Sequence, residues 1–242
     1  MPRPLLEIAA GSLASALAAQ AGGADRVELC GNLAGGGTTP SYGLIATVRE
    51  RVRLPLYVLV RPRDGDFLYE DAELEVMLRD VDACVRLGCD GVVIGALDPD
   101  GGIDRARCAA LVAAAGTLGV TFHRAFDAVR EPARALEEVI ALGCERVLTS
   151  GGRDSAQHGA PAIAALVAQA AGRIRIMAGA GIRPGNLAEV ATRSRADEFH
   201  ASARTRRDSA MRWRTAITGL PADREESAPA VVAALAAALR GR

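Results

Sequence analysis

Glu7, Glu28, Cys30, Arg61, His123, Ser150, His200 and Ser202 are the residues whose types and spacing bear on chemistry in this sequence. Most of them alternate with apolar residues in short runs. Leu6 and Ile8 flank Glu7, Val27 and Leu29 flank Glu28, and Val120 and Phe122 precede His123. Side chains alternate across a strand. If the apolar set is buried on one side, the polar set shares the other. Imidazole titrates near neutral pH, so His123 or His200 can serve as general acid or base. Glu28 can act as a base or neutralise Arg61. Arg61 can hold a carboxylate or phosphate through two parallel bonds. The bland alternative is a structural ion network of Glu7, Glu28 and Arg61. Charged groups deep inside a protein are costly unless paired. His158 falls in a loop and reads as solvated.

Loops add further candidates. Gly179-Ala180-Gly181-Ile182-Arg183 follows one β-type run and leads into a helical pattern expected over 184–193. Small residues before a helix N-terminus let backbone N–H groups approach an anion, so Gly179, Gly181 and Arg183 form a candidate anion site. The segment from Arg61 to Phe67 is long and polar and could cover a binding site. The loop from Gly31 to Ser41 is either mobile or close-packed. Arg204, Arg206, Arg207, Arg212 and Arg214 are an anion-binding cluster or a solvated edge. The five cysteines include no Cys-x-x-Cys pair. Cys84, Cys89, Cys108 and Cys144 lie on or after helical patterns and read as small buried thiols; Cys30 ends a strand instead.

The elements that position these residues follow a repeated join. A helical pattern ends in Gly, a small residue and an acid, and a β-rich run follows. The copies are Gly23-Ala24-Asp25, Gly88-Cys89-Asp90 and Gly143-Cys144-Glu145, with a weaker one at Ala196-Asp197. Gly ends helices because it adopts the left-handed conformation freely. Strands are expected at 4–9, 26–30, 56–61, 91–97, 119–125, 146–150, 173–179 and 198–203. Helices are expected at 12–22, 43–51, 71–87, 104–116, 132–142, 159–171, 184–193 and 229–239. Strict alternation implies a parallel sheet with right-handed crossovers. Eight units imply closure into an α/β (β/α)8 TIM barrel, with an open doubly wound sheet as the alternative. The expected organisation is one domain over 1–242, with an irregular segment at 204–228 before the last helix. In such a barrel the polar set lies inside or at the upper rim, where strands end and barrel enzymes keep their chemistry.

Composition narrows the partners. The 29 basic and 29 acidic side chains cancel, so nothing in the bulk charge argues for nucleic acid or an anionic membrane, and neither is expected as partner. No apolar run approaches the roughly 18 residues of a membrane helix. No apolar leader separates Met1 from the first strand pattern. These features point to a cytoplasmic protein, with no large exposed apolar stretch.

The sequence resembles the CutC copper-homeostasis family from about residue 5 to about residue 215. The matching motifs are Gly22-Gly23-Ala24-Asp25-Arg26-Val27-Glu28-Leu29-Cys30, Gly36-Gly37-Thr38-Thr39-Pro40-Ser41, and Arg61-Pro62-Arg63 with Gly65-Asp66-Phe67. They continue in Thr121-Phe122-His123-Arg124-Ala125-Phe126-Asp127, Leu148-Thr149-Ser150-Gly151 and Phe199-His200-Ala201-Ser202-Ala203. The resemblance implies a barrel, a homo-oligomer and a copper-linked role. It also implies copper binding by two cysteines at the ends of the first and second strands. The second is Cys30; the first position holds Ala9. Cu(I) favours thiolate and thioether ligands. One thiolate, with an imidazole or the distant Met177, makes a poorer Cu(I) site than two.

Three functions follow as expectations. One is copper binding through Cys30, aided by His123, His200 or Met177. Another is an enzyme of isomerase or lyase type acting on a small anionic or phosphorylated metabolite. There His123 or Glu28 is the acid/base, Arg61 the anion clamp, and Glu7, His200 and Ser202 complete the cluster. The last is a non-catalytic barrel acting through its surface, by its final helix or Arg-rich segment.

Overall fold

A computed structural model describes residues 3–218 and 220–241. Eight parallel strands close on themselves in chain order. They are β1 (Leu5–Ala10), β2 (Arg26–Leu29), β3 (Leu56–Leu59), β4 (Gly91–Ile94), β5 (Gly119–Phe122), β6 (Arg146–Thr149), β7 (Arg175–Ala178) and β8 (Glu198–Ala201). The intervening helices are α1 (Leu13–Ala21), α2 (Tyr42–Arg51), α3 (Asp71–Arg86), α4 (Arg105–Ala115), α5 (Pro132–Ala141), α6 (Ala156–Ala170) and α7 (Leu187–Ser194). The final helix, α8 (Pro229–Arg240), packs against α1 and α7 and so completes the outer ring.

The repeated join has a physical basis at each end. Gly23, Gly88 and Gly143 take φ of +82°, +68° and +84°, the left-handed exit that glycine allows. The acid that follows ties the next strand to its neighbour. Asp25 accepts from the Leu6 N–H at 2.9 Å, and Asp90 from the Leu56 N–H at 2.8 Å. Helices restart at side-chain caps: Ser12, Ser41, Asp104 and Ser155 each accept a backbone N–H of the first turn.

Leu6, Ile8, Val27, Leu29, Val92, Ile94, Val120 and Phe122 lie in the apolar layer between barrel and helices, as alternation predicts. The interior is different. Its lower part is a buried ionic plug. Arg26 pairs with Glu7 and Glu198, and Arg146 bonds Glu198 at 2.9 Å and the Thr121 hydroxyl at 3.0 Å. Both guanidinium groups lie over the Tyr57 ring, at 5.1 and 4.9 Å. The ring has room because Gly91 and Gly119 face it, and a Cβ at either would collide with it. Opposite charges and hydrogen bonds together offset the cost of burying these ions.

Two expectations are corrected. Residues 204–228 are not wholly irregular. β9 (Arg204–Arg207) and β10 (Arg224–Ser227) form a two-stranded antiparallel ribbon. Arg204–Glu225 and Arg207–Glu226 ion pairs accompany it, so the Arg-rich segment is largely neutralised. Nor is an exposed apolar stretch absent. Met211, Trp213, Ile217 and Leu220 are exposed on the excursion between β9 and β10. No helix of the described residues is long and apolar enough to cross a membrane.

Candidate functional site

A cavity of about 750 Å³ opens at the C-terminal ends of the barrel strands. Its wall carries two groups of polar side chains above the ionic plug.

The first group comes from β1, β2 and β8. Glu7 is level with Arg26 on one side and His200 on the other. Its carboxylate pairs with Arg26 and also meets His200 Nδ1 at 2.7 Å. His200 Nε2 lies 3.7 Å from Glu28 Oε2. The Cys30 thiol donates to the same Glu28 oxygen at 3.2 Å. Ligand atoms of Glu7, Glu28 and His200 all fall within 4.8 Å of one another. Burial would raise the Glu7 pKa, but Arg26 and then His200 outweigh it, so the carboxyl is held well below its usual range. Burial raises Glu28. It would lower His200, but Glu28 and Glu7 outweigh it and raise the imidazole. Burial, then Glu28, pushes the Cys30 thiol well above its ordinary value.

The second group comes from the ends of β3 and β5. Arg61 is 5 % exposed and His123 4 %. Arg61 donates to the carbonyls of Gly37 at 2.8 Å and Gly65 at 2.7 Å, and stacks on Phe67 at 4.9 Å. Gly37 and Gly65 hold φ of +92° and +80°, which lets these carbonyls turn inward. Thr39 closes the same junction, its N–H donating to Arg61 O at 2.8 Å. The loops at 31–41 and 61–67 are therefore pinned around one guanidinium. His123 packs on Phe67 with ring centroids 5.1 Å apart. Its Nδ1 accepts from the Ala125 N–H at 3.1 Å, which places the proton of the neutral ring on Nε2. Burial, then Arg61, lowers its pKa to about 3, so it is neutral at physiological pH.

A model of the CutC family matches residues 4–205. A CutC family protein of Xylella fastidiosa (strain Temecula1) is 66 % identical over 200 residues, covering 83 % of this chain and 75 % of that protein. The human copper homeostasis protein cutC homolog is 50 % identical over 218 residues, covering 90 % and 80 %. The crystal structure of a copper homeostasis protein CutC from Streptococcus agalactiae superposes with a TM-score of 0.79 at 33 % identity, covering 82 % of this chain and 98 % of that one.

The chain belongs to the CutC family.

In this CutC-family barrel, Glu28, Cys30, Arg61, His123, His200 and Ser202 all line the cavity, and Glu7 lies directly beneath His200. The expected Glu7–Glu28–Arg61 network is not formed. Arg26 is the partner of Glu7, and no carboxylate pairs with Arg61 among the described residues. Arg26, Arg146 and Glu198 were not among the sequence candidates. The signal was strand parity, since Arg26 shares its face with Glu28 and Cys30.

Other candidates separate. The Gly179 N–H is used by Thr149 O at 3.0 Å, within the barrel wall. The Arg183 N–H is taken by Asn186 Oδ1 at 2.8 Å, and α7 begins at Leu187, so the loop does not sit on a helix N-terminus. Gly181 and Arg183 still line the cavity; Gly179 does not. Ser150 is turned away and held by Asp127 and the Arg153 carbonyl. Met177 lies in the ionic plug, where Arg26 donates to its sulfur at 3.4 Å, so it is no partner for Cys30. Ala9 does line the cavity, level with Glu28. His158 is exposed.

Proposed function

We propose that this CutC-family chain takes part in copper homeostasis by holding a copper ion as cargo at the barrel mouth, on Cys30 Sγ and His200 Nε2, with Glu28 beside them as the proton acceptor. One observation carries the reading: these three groups converge on one wall while Glu7 engages His200 Nδ1, so that Nε2 is the ring atom that can meet an ion when it carries no proton. A ligating histidine whose other nitrogen is bonded to a carboxylate has a fixed ring and raised basicity. The donor set fits a single-thiolate site, with the soft sulfur and the imidazole as the ligands for Cu(I). Binding requires the thiol to lose its proton. Glu28 accepts that proton: the S–H bond breaks, an O–H bond forms on Glu28, and sulfur's lone pair turns to the ion. The five cysteines are free, as suits a reducing cytoplasm.

The test is a Cu(I) competition titration against a chromophoric chelator, with wild type, Cys30→Ser and His200→Gln. The expected result is one site per chain in wild type, weakened about tenfold or more in each variant. Equal, weak binding by all three ends the reading.

A second reading is favoured by Arg61, a buried cation at the cavity with no carboxylate partner among the described residues. Here the mouth binds a small anionic metabolite, and His200 and Glu28 exchange a proton with it in isomerase- or lyase-type chemistry. His123 fits the base role poorly, because its free nitrogen carries a proton. Ligand-dependent thermal stabilisation across a metabolite set, followed by product analysis of each hit, tests it. A set that yields no hit, or hits without turnover, removes it.

A further inference from the structure

We infer that the wall formed by Arg61 and His123 is a carboxylate-binding site, separate from the Cys30–His200 wall. Three observations lead there. Arg61 is buried yet has only neutral carbonyl and aromatic partners, so its charge is uncompensated among the described residues. Arg61 Nε has no hydrogen-bond partner of ordinary geometry among the described residues. His123 Nε2 has none either, and the bond to Nδ1 makes it a donor.

Buried donors without acceptors cost free energy, as do buried charges without counter-charges. The group that relieves both is an anion with acceptor oxygens. Two buried N–H donors without acceptors of good geometry, and one positive charge, match a carboxylate, which has two oxygens and one negative charge. A phosphate dianion asks for more donors and more charge. The Tyr69 hydroxyl, which makes no hydrogen bond of ordinary geometry, is near enough to Arg61 to interact with it through both charge and a weak side-chain hydrogen bond. It can accept one bond but brings no countercharge. Phe67 packs against both Arg61 and His123 and fixes their relative position.

The inference deepens the second reading by naming the class of ligand, and it stands apart from copper. It is tested on chelator-treated protein. Acetate, glycolate and 2-oxobutyrate are titrated beside acetamide and inorganic phosphate. The readouts are melting temperature and the ¹⁵N resonance of His123 Nε2. Saturable stabilisation by the carboxylates, a shift of that resonance, and no response to acetamide are expected. His123→Leu should weaken carboxylate binding about tenfold, whereas His123→Gln, which keeps a donor, should retain most of it. Arg61→Met should abolish it; because Arg61 also pins two loops, the His123 pair decides the matter if that variant fails to fold. Absence of carboxylate binding at millimolar ligand, preference for phosphate, or equal binding by His123→Leu overturns the site. Binding without any turnover keeps the site and removes only the enzyme reading.

Discussion

The 2.7 Å contact between His200 Nδ1 and Glu7 joins the sealed interior of the barrel to its open mouth. Through it a continuous polar chain runs from Arg26 to Glu7, His200, Glu28 and Cys30. The orientation of the candidate metal donor thus depends on an ion pair buried below it.

Glu7→Gln should therefore have two effects. Copper affinity should fall about 10- to 100-fold, as when an outer partner of a ligating histidine is removed. Unfolding free energy should fall by about 3 kcal/mol, because Arg26 loses one of its two counter-charges. Competition titration and urea unfolding measure the two separately. Unchanged affinity in a folded variant would show that Glu7 does not orient His200.

Ala9→Cys restores a thiol at the mouth, level with Glu28 on the strand beside Cys30. A second soft ligand should strengthen Cu(I) binding by about tenfold or more, with little effect on a hard divalent ion. The same chelator competition reads the gain, and Ala9→Ser controls for polarity. Equal Cu(I) affinity in the Cys and Ser variants would refute it.

His123 gives a pH dependence of definite sign. Its pKa is lowered to about 3 in the fold by burial and Arg61, against an ordinary value of 6.5. Between those values the unfolded chain binds more protons than the native one, so stability is full above the ordinary value and declines as pH falls towards the folded one. Urea unfolding at about pH 7 and about pH 4.5 should show wild type losing a few kcal/mol relative to His123→Gln. Parallel losses in the two proteins would mean that His123 is protonated natively in this range.

Gly95→Ala should disturb the second wall alone. A Cβ there would lie 2.6 Å from the His123 imidazole, and the ring is already packed against Phe67. Overpacking of this kind costs about 1–3 kcal/mol. Carboxylate binding should drop with it, while copper binding stays. Loss of both in a folded protein would show that the walls are not independent.

Much of this was legible in the sequence, for reasons visible at particular residues. Asp25 and Asp90 mark the joins because each ties its strand to the one before. Leu6, Ile8, Val27 and Leu29 mark the helix-facing side, so Glu28 and Cys30 could be placed inside. The ionic plug was missed because Arg26, Arg146 and Glu198 stand at or near strand starts beside charged joins, where charges ordinarily meet water. Barrel closure is what buries them, and closure is non-local. The start of α7 was misplaced because Asn186 captures the Arg183 N–H and makes a turn of Arg183-Pro184-Gly185-Asn186. The β9–β10 ribbon left no apolar alternation to read, since charge pairs rather than a buried face accompany it.

Because Tyr57 and the salt-bridged ions stopper the lower half of the cylinder, the vestibule above is reached from the mouth side. If the two proposed sites fill, an ion on Cys30 and an acid anion on Arg61 both come and go on that side. Neither can be flushed out from below.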